Sequence, residues 1–209
     1  MYILILSLIL IGCIAILVLK EKITNYKLYP EYHKGWHELS KINRKLKKNN
    51  TDNSLRAELL YDAGLVCWKC RSSLNRMTIS STLDPYNNEK AFCYFIKAAR
   101  LNHKGAAFMA GIVACYGMLP DNTIEPLRFV NKSVKNAVYQ VLNHYSIPNV
   151  YFANNAEGRV CGMFYFVKAH YLGSKEAAEK ITAAIRDSEF PKSAISEINS
   201  MIKSGHVIF

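Results

Sequence analysis

Glycine and proline are scarce in this chain of 209 residues, at ten and six, which excludes a collagen-like repeat or a low-complexity linker protein. Acidic side chains are also in short supply: 16 Asp+Glu face 27 Lys+Arg, a formal net charge of +11. Strand-type alternation of apolar and polar residues is missing, so nothing in the pattern argues for a β architecture. There is no P-loop, dinucleotide glycine fingerprint, nucleophile elbow or metalloprotease helix, and we therefore expect no catalytic residue, no cofactor and no metal. Cys67-Trp68-Lys69-Cys70 has the spacing of half a zinc or redox site. No second pair of cysteines and no nearby histidine pair completes four ligands. His33 and His37 are one helical turn apart, but Gly35 lies between them and two ligands make a weak site. What the chain does have is apolar content, 50% of its residues, enough for a packed core and too much for general disorder.

Charge is missing altogether from Met1 to Leu19. Nineteen uncharged, mostly apolar residues as a helix span about 28 Å, close to the hydrocarbon thickness of a bilayer. A cleavable signal would carry a basic start and a small-residue cleavage site, and neither is present. Leu10-Ile11-Gly12-Cys13 is similar to a bacterial lipobox, whose cysteine is acylated. Six further apolar residues follow that cysteine and no basic residue precedes it, so the expectation is an uncut transmembrane anchor. Residues 20–48 hold nine basic and three acidic side chains, more than half of the whole net charge. Basic flanks stay on the cytoplasmic side, which predicts a single-pass protein with a cytoplasmic body; the periplasmic alternative goes with the lipobox. Within that flank, Trp36, Leu39, Ile42 and Leu46 recur at helical spacing among lysines. Such a helix either lies on anionic lipid or packs its stripe on the following domain. The cluster thus has a membrane explanation, and no nucleic-acid motif accompanies it.

A polar break at Lys47–Ser54 marks the next boundary. Beyond it the chain repeats itself. Tyr94–Ala107 aligns without gaps to Tyr165–Ala178 with eight of 14 positions identical, and Tyr61–Cys67 aligns to Phe108–Ala114. The order of segments is that of a helical hairpin used twice, with an A helix and a B helix in each. Phe92, Phe95, Ile96 and Ala99 give the stripe of an amphipathic helix, Asn87-Asn88 can cap its start, and Asn102 and Gly173 can end the two B helices. Gly64 and Gly111 occupy equivalent places inside A helices, where glycine costs about 1 kcal/mol, so close packing is the expected reason. Between the copies, Glu125-Pro126 opens a predicted helix carrying Leu127, Val130, Val134, Val138, Val141 and Tyr145, followed by a loop-like Ser146–Asn155. After Phe190-Pro191, the residues Ala194, Ile195, Ile198, Met201 and Ile202 predict a final capping helix.

Lys90-Ala91, Tyr94-Phe95, Lys97-Ala98-Ala99 and the turn Leu101-Asn102, repeated as Tyr165-Phe166, Lys168-Ala169 and Leu172-Gly173, resemble the Sel-one-like repeat family of tetratricopeptide-like hairpins. The chain departs from that pattern at Ala63, Cys67, Ala110, Ala114 and His170. The resemblance implies an all-α fold: a short α-solenoid of two to three hairpins, with an N-terminal transmembrane helix. The organisation expected is an anchor over 1–19, a basic juxtamembrane helix and linker over 20–54, and a repeat domain over 55–209 with an insertion at about 118–158. Some exported members of the family link their hairpins by disulfides, so Cys67, Cys70, Cys93, Cys115 and Cys161 leave the compartment open. Solenoids bind proteins along an extended surface, and the expected function is a membrane-tethered protein-interaction module. Candidate partner-contacting residues are Trp68, Tyr116, Tyr151 and Phe152. Two alternatives stand beside it. The family includes bacterial immunity proteins that neutralise a secreted membrane-targeting toxin, and a thiol-dependent enzyme would use Cys67/Cys70 or His170.

Overall fold

The computed structural model describes residues 30–48, 52–70, 88–116, 125–148 and 155–209. These are all-helical, with eight α-helices and one short 3-10 turn. The anchor expected over 1–19 and its boundary at Lys20–Lys22 lie outside the described residues. Among the described residues no helix is long and apolar enough to cross a membrane.

Helix α1 is Pro30–Lys48, α2 Asn53–Cys70, α3 Asn88–Arg100 and α4 Lys104–Tyr116. The turn Pro126–Arg128 precedes α5, Lys132–His144; α6 Ala156–Tyr171, α7 Lys175–Arg186 and α8 Lys192–Lys203 complete the chain. Consecutive packing runs α1 on α2, α2 on α3, α3 on α4, α4 on α6 and α6 on α7. Leu39 and Ile42 of α1 are buried in the same core as α2. The apolar stripe of the basic helix is therefore spent on protein packing, although Trp36 at its edge stays 50% exposed.

The two hairpins repeat side-chain contacts as well as sequence. A methyl group added at Gly64 of α2 would lie 2.5 Å from Phe95 Cε1 on α3, and one added at Gly111 of α4 would lie 2.5 Å from Phe166 Cδ1 on α6. Only hydrogen fits at either place, because a phenylalanine of the B helix lies flat on the A-helix backbone. One turn earlier, Tyr61 meets the Phe95 ring at 6.0 Å, and Phe108 meets the Phe166 ring at 5.7 Å. The turns match too. Asn102 and Gly173 both take positive φ, 61° and 88°. The amides that follow reach back to Ala98 O and Ala169 O, respectively. That pattern is a Schellman ending. His103 Nδ1 then accepts from Ala106 N at 2.9 Å and Ser174 Oγ accepts from Ala177 N at 3.2 Å, so both next helices are capped by a side chain at the same position.

Between the copies, the expected helix from Pro126 is split. The 3-10 turn ends at Phe129, and α5 starts afresh where the Asn131 side chain accepts from Val134 N at 3.0 Å. Val134, Val138 and Val141 are fully buried as the spacing predicts. They pack α5 on α6 and α8. Helix α6 is buried without interruption from Gly158 to Ala169. Neighbours surround it, which is why its sequence has no polar face.

Candidate functional site

The residues expected to touch a partner fall in different settings. Trp68 lies in the last turn of α2 and is half-buried against the core. Tyr116 ends α4, half-buried, with Lys180 Nζ of α7 5.6 Å from its ring centre. Burial, followed by the neighbouring Cys115 and acidic groups, pushes the Tyr116 hydroxyl up to about 12, so it remains a neutral donor at physiological pH. Both residues end A helices, one register position apart in the aligned hairpins. Tyr151 and Phe152 lie outside the described residues.

Among the described residues the thiols are placed for packing; the Cys70 side chain lies outside them. Cys67, Cys115 and Cys161 are buried. Burial pushes Cys115 up to about 12, raises Cys161 further, and raises the half-buried Cys93. Nucleophilic thiols need the opposite shift. Cys115 Sγ donates to Arg159 O at 3.4 Å across the α4–α6 contact. There Gly162 allows the two backbones to approach: an added methyl would stand 2.8 Å from both Cys115 N and Gly111 O. His170 is exposed at the end of α6. Among the described residues no group of three His, Cys, Asp or Glu side chains could hold a metal ion.

Arg159 is the buried cation of the molecule's inner end. Its guanidinium donates to Pro148 O and, at 3.1 Å, to Glu189 O, with the Glu189 carboxylate 3.8 Å away and the Phe190 ring 5.3 Å below. The guanidinium ties the exit of α5 to the α7–α8 connection. A buried guanidinium so fully paired is a structural tie.

Among the described residues, two grooves of more than 400 Å³ open between helices. One, of 450 Å³, lies among α6, α7 and α8 and includes Val167, His170, Ile181, Ile185 and Lys203. The other, of 410 Å³, separates α1 from α3 and is lined by Trp36, Leu39, Asn43, Lys90, Tyr94 and Lys97. Its floor is fixed by Tyr94, whose hydroxyl donates to Asn43 Oδ1 at 3.2 Å, and Lys97 Nζ stands 6.0 Å from the Tyr94 ring centre. Burial holds the Tyr94 phenol above its ordinary value, with the Asn43 bond opposing. Trp36 and Lys97 read in sequence as members of a packing stripe and of a repeat motif. Their exposure follows from a fact periodicity does not carry, namely that α1 and α3 both rest on α2 and meet at the Tyr94–Asn43 bond, with the groove open beside it.

No protein-family model, curated protein or solved structure matches the chain. The described residues define an all-α fold in which the packing of α2 on α3 recurs in that of α4 on α6.

Proposed function

We propose that this chain is a short α-solenoid of the Sel-one-like kind, held at a membrane by its apolar N-terminus, whose function is to bind another protein. The observation that carries the reading is the repeated glycine–phenylalanine lock, Gly64 on Phe95 and Gly111 on Phe166. Two hairpins built to one plan, with open grooves beside α3 and beside α6, are an arrangement suited to recognising an extended partner. The complete burial of Cys67 favours this over thiol chemistry at Cys67/Cys70. Tethering would hold the module at a high effective concentration near a membrane-bound partner.

Affinity purification of the full-length chain in mild detergent tests the reading. One protein should be recovered in near-equal amount, and a Cys67→Ser, Cys70→Ser double variant should recover it equally. Recovery of no stoichiometric protein, or dependence on the thiols, would sink the proposal. The lipobox-like Leu10–Cys13 favours a second reading, a toxin-neutralising immunity protein facing the periplasm. A topology reporter fused after Phe209 separates the two: a cytoplasmic signal supports the tethered module, and a periplasmic signal with Cys13 acylation supports immunity.

A further inference from the structure

The repeat supplies its own template for what the α1–α3 groove takes. Tyr94 and Lys97 of α3 align with Tyr165 and Lys168 of α6. In the second hairpin that pair is covered by the chain's own tail. The Phe209 ring lies 5.2 Å from the Tyr165 ring, and Lys168 Nζ lies 4.3 Å from the Phe209 ring centre. The tail arrives there as an extended segment: Asn131 Nδ2 donates to Ile208 O at 2.7 Å, and Ile208 N donates to Ser133 Oγ at 3.0 Å. In the first hairpin the corresponding Tyr94 and Lys97 line an open groove walled by the half-exposed Trp36.

Charge adds the second half of the description. Lys90 and Lys97 both line the groove, and no acidic side chain does. Beyond its rim, α1 ends with Lys45, Lys47 and Lys48. Among the described residues, no ion pair within 4 Å joins Lys97 to a carboxylate. A flat membrane surface would meet the exposed lysines but would not fill a 410 Å³ cleft between two helices. An inserted ring would meet Trp36 and Tyr94 edge or face and lie under an ammonium group, the arrangement Phe209 already has at Lys168.

We propose that the α1–α3 groove docks an extended, acidic segment of a partner protein, with an aromatic side chain seated between Trp36 and Tyr94 and a carboxylate on Lys97. This rests on the interaction-module reading and names the surface and the partner chemistry for it.

The test is selection of a random peptide display library on the full-length chain in non-ionic detergent, followed by binding of the enriched peptides to variants. Enriched peptides should share an aromatic residue flanked by Asp or Glu and should slow alkylation of Cys93, which lines the groove. Their affinity should fall about tenfold in Lys97→Glu and in Trp36→Ala, weaken with added salt, and stay unchanged in Lys180→Glu. Circular dichroism of each variant confirms that the helices remain. Peptides without acidic residues, equal binding to the groove variants, or no protection of Cys93 would overturn the proposal. So would binding of phosphatidylserine-containing vesicles that Lys97→Glu abolishes while peptides bind unaffected. Peptides that map elsewhere on the chain overturn the groove and leave the module reading standing. A stoichiometric partner recovered by affinity purification, yet released by no groove variant, separates the two in the same way.

Discussion

At the scale of single residues, the glycines carry the tightest constraints. Gly64→Ala and Gly111→Ala each gain about 1 kcal/mol of helix propensity but push a methyl into a phenylalanine ring boxed by its neighbours. Overpacking of that kind costs roughly 1–3 kcal/mol, so the clash wins. We expect each variant to melt lower, by about 2–4 °C per kcal/mol at this chain length. A Gly64→Ala, Phe95→Leu pair should recover part of that loss relative to Phe95→Leu alone, because the leucine leaves room. No equivalent rescue exists for Gly162→Ala, whose methyl would meet backbone atoms at 2.8 Å, and it should lose more. Melting curves in which Gly162→Ala is the mildest of the three would contradict this account. The packing role of Gly64 and Gly111 was legible in the sequence, since both recur at one register. Gly162 was not, because no second copy of its position holds a glycine and nothing local marks a helix crossing.

Lys168 makes a second residue-scale prediction. Burial, with help from Arg100, lowers its ammonium group from 10.5 to about 8. Below about pH 8 the lysine is charged in both folded and unfolded chains, and burying the charge opposes folding. Between 8 and 10.5 the folded chain has released the proton while the unfolded chain still binds it, so this group's contribution to stability rises with pH. Lys168→Met should therefore be more stable than wild type at neutral pH, by about 1 kcal/mol. The gap should narrow as pH rises through that window. Urea denaturation of both proteins across the range checks it, and a gap that does not change with pH would remove the cause assigned here.

Among the elements, the turns between helices show how far local rules reach. Asn102, Gly173 and Ser188 all end helices at positive φ, at 61°, 88° and 58°. Left-handed backbone suits glycine, is tolerated by asparagine and is poor for serine. Ser188→Gly should then raise the melting temperature more than Asn102→Gly, with gains of roughly 0.5–1 kcal/mol and less, and Gly173→Ala should lower it. The reverse order of the first two would show that side-chain contacts, and not backbone strain, govern these caps. Two of the three were readable because they close aligned copies. Ser188 was hidden, since serine does not announce a left-handed residue. The split before α5 was hidden for a related reason. Pro126 is a fair helix start, but Glu125 before it makes no side-chain cap, whereas the Asn131 side chain caps α5.

At the scale of the whole molecule, α6 decides how the fold holds together. In an ideal linear stack each helix meets its sequence neighbours, and the repeats open one by one. Here α6 is touched by α4, α5, α7 and α8 and by the turn at Pro126. Its B-helix motif was legible in the sequence, but its total burial depends on an insertion and a tail that fold back on it from far along the chain. The first hairpin has no such closure on its outer face: α1 covers it chiefly by Leu39, Ile42 and Leu46 and leaves the groove beside Trp36. Native-state hydrogen exchange should therefore rank amides of α6 and the facing side of α4 slowest, at the free energy of global unfolding. Amides of α1 should exchange through a smaller opening. Trp36→Ala should leave the α6 rates unchanged. Replacing Phe209 by alanine should speed α6 exchange near Tyr165 and Lys168, because that ring is their lid. If α1 and α6 exchange with one common free energy, the molecule opens all at once, and the unequal closure of its two hairpins has no energetic consequence.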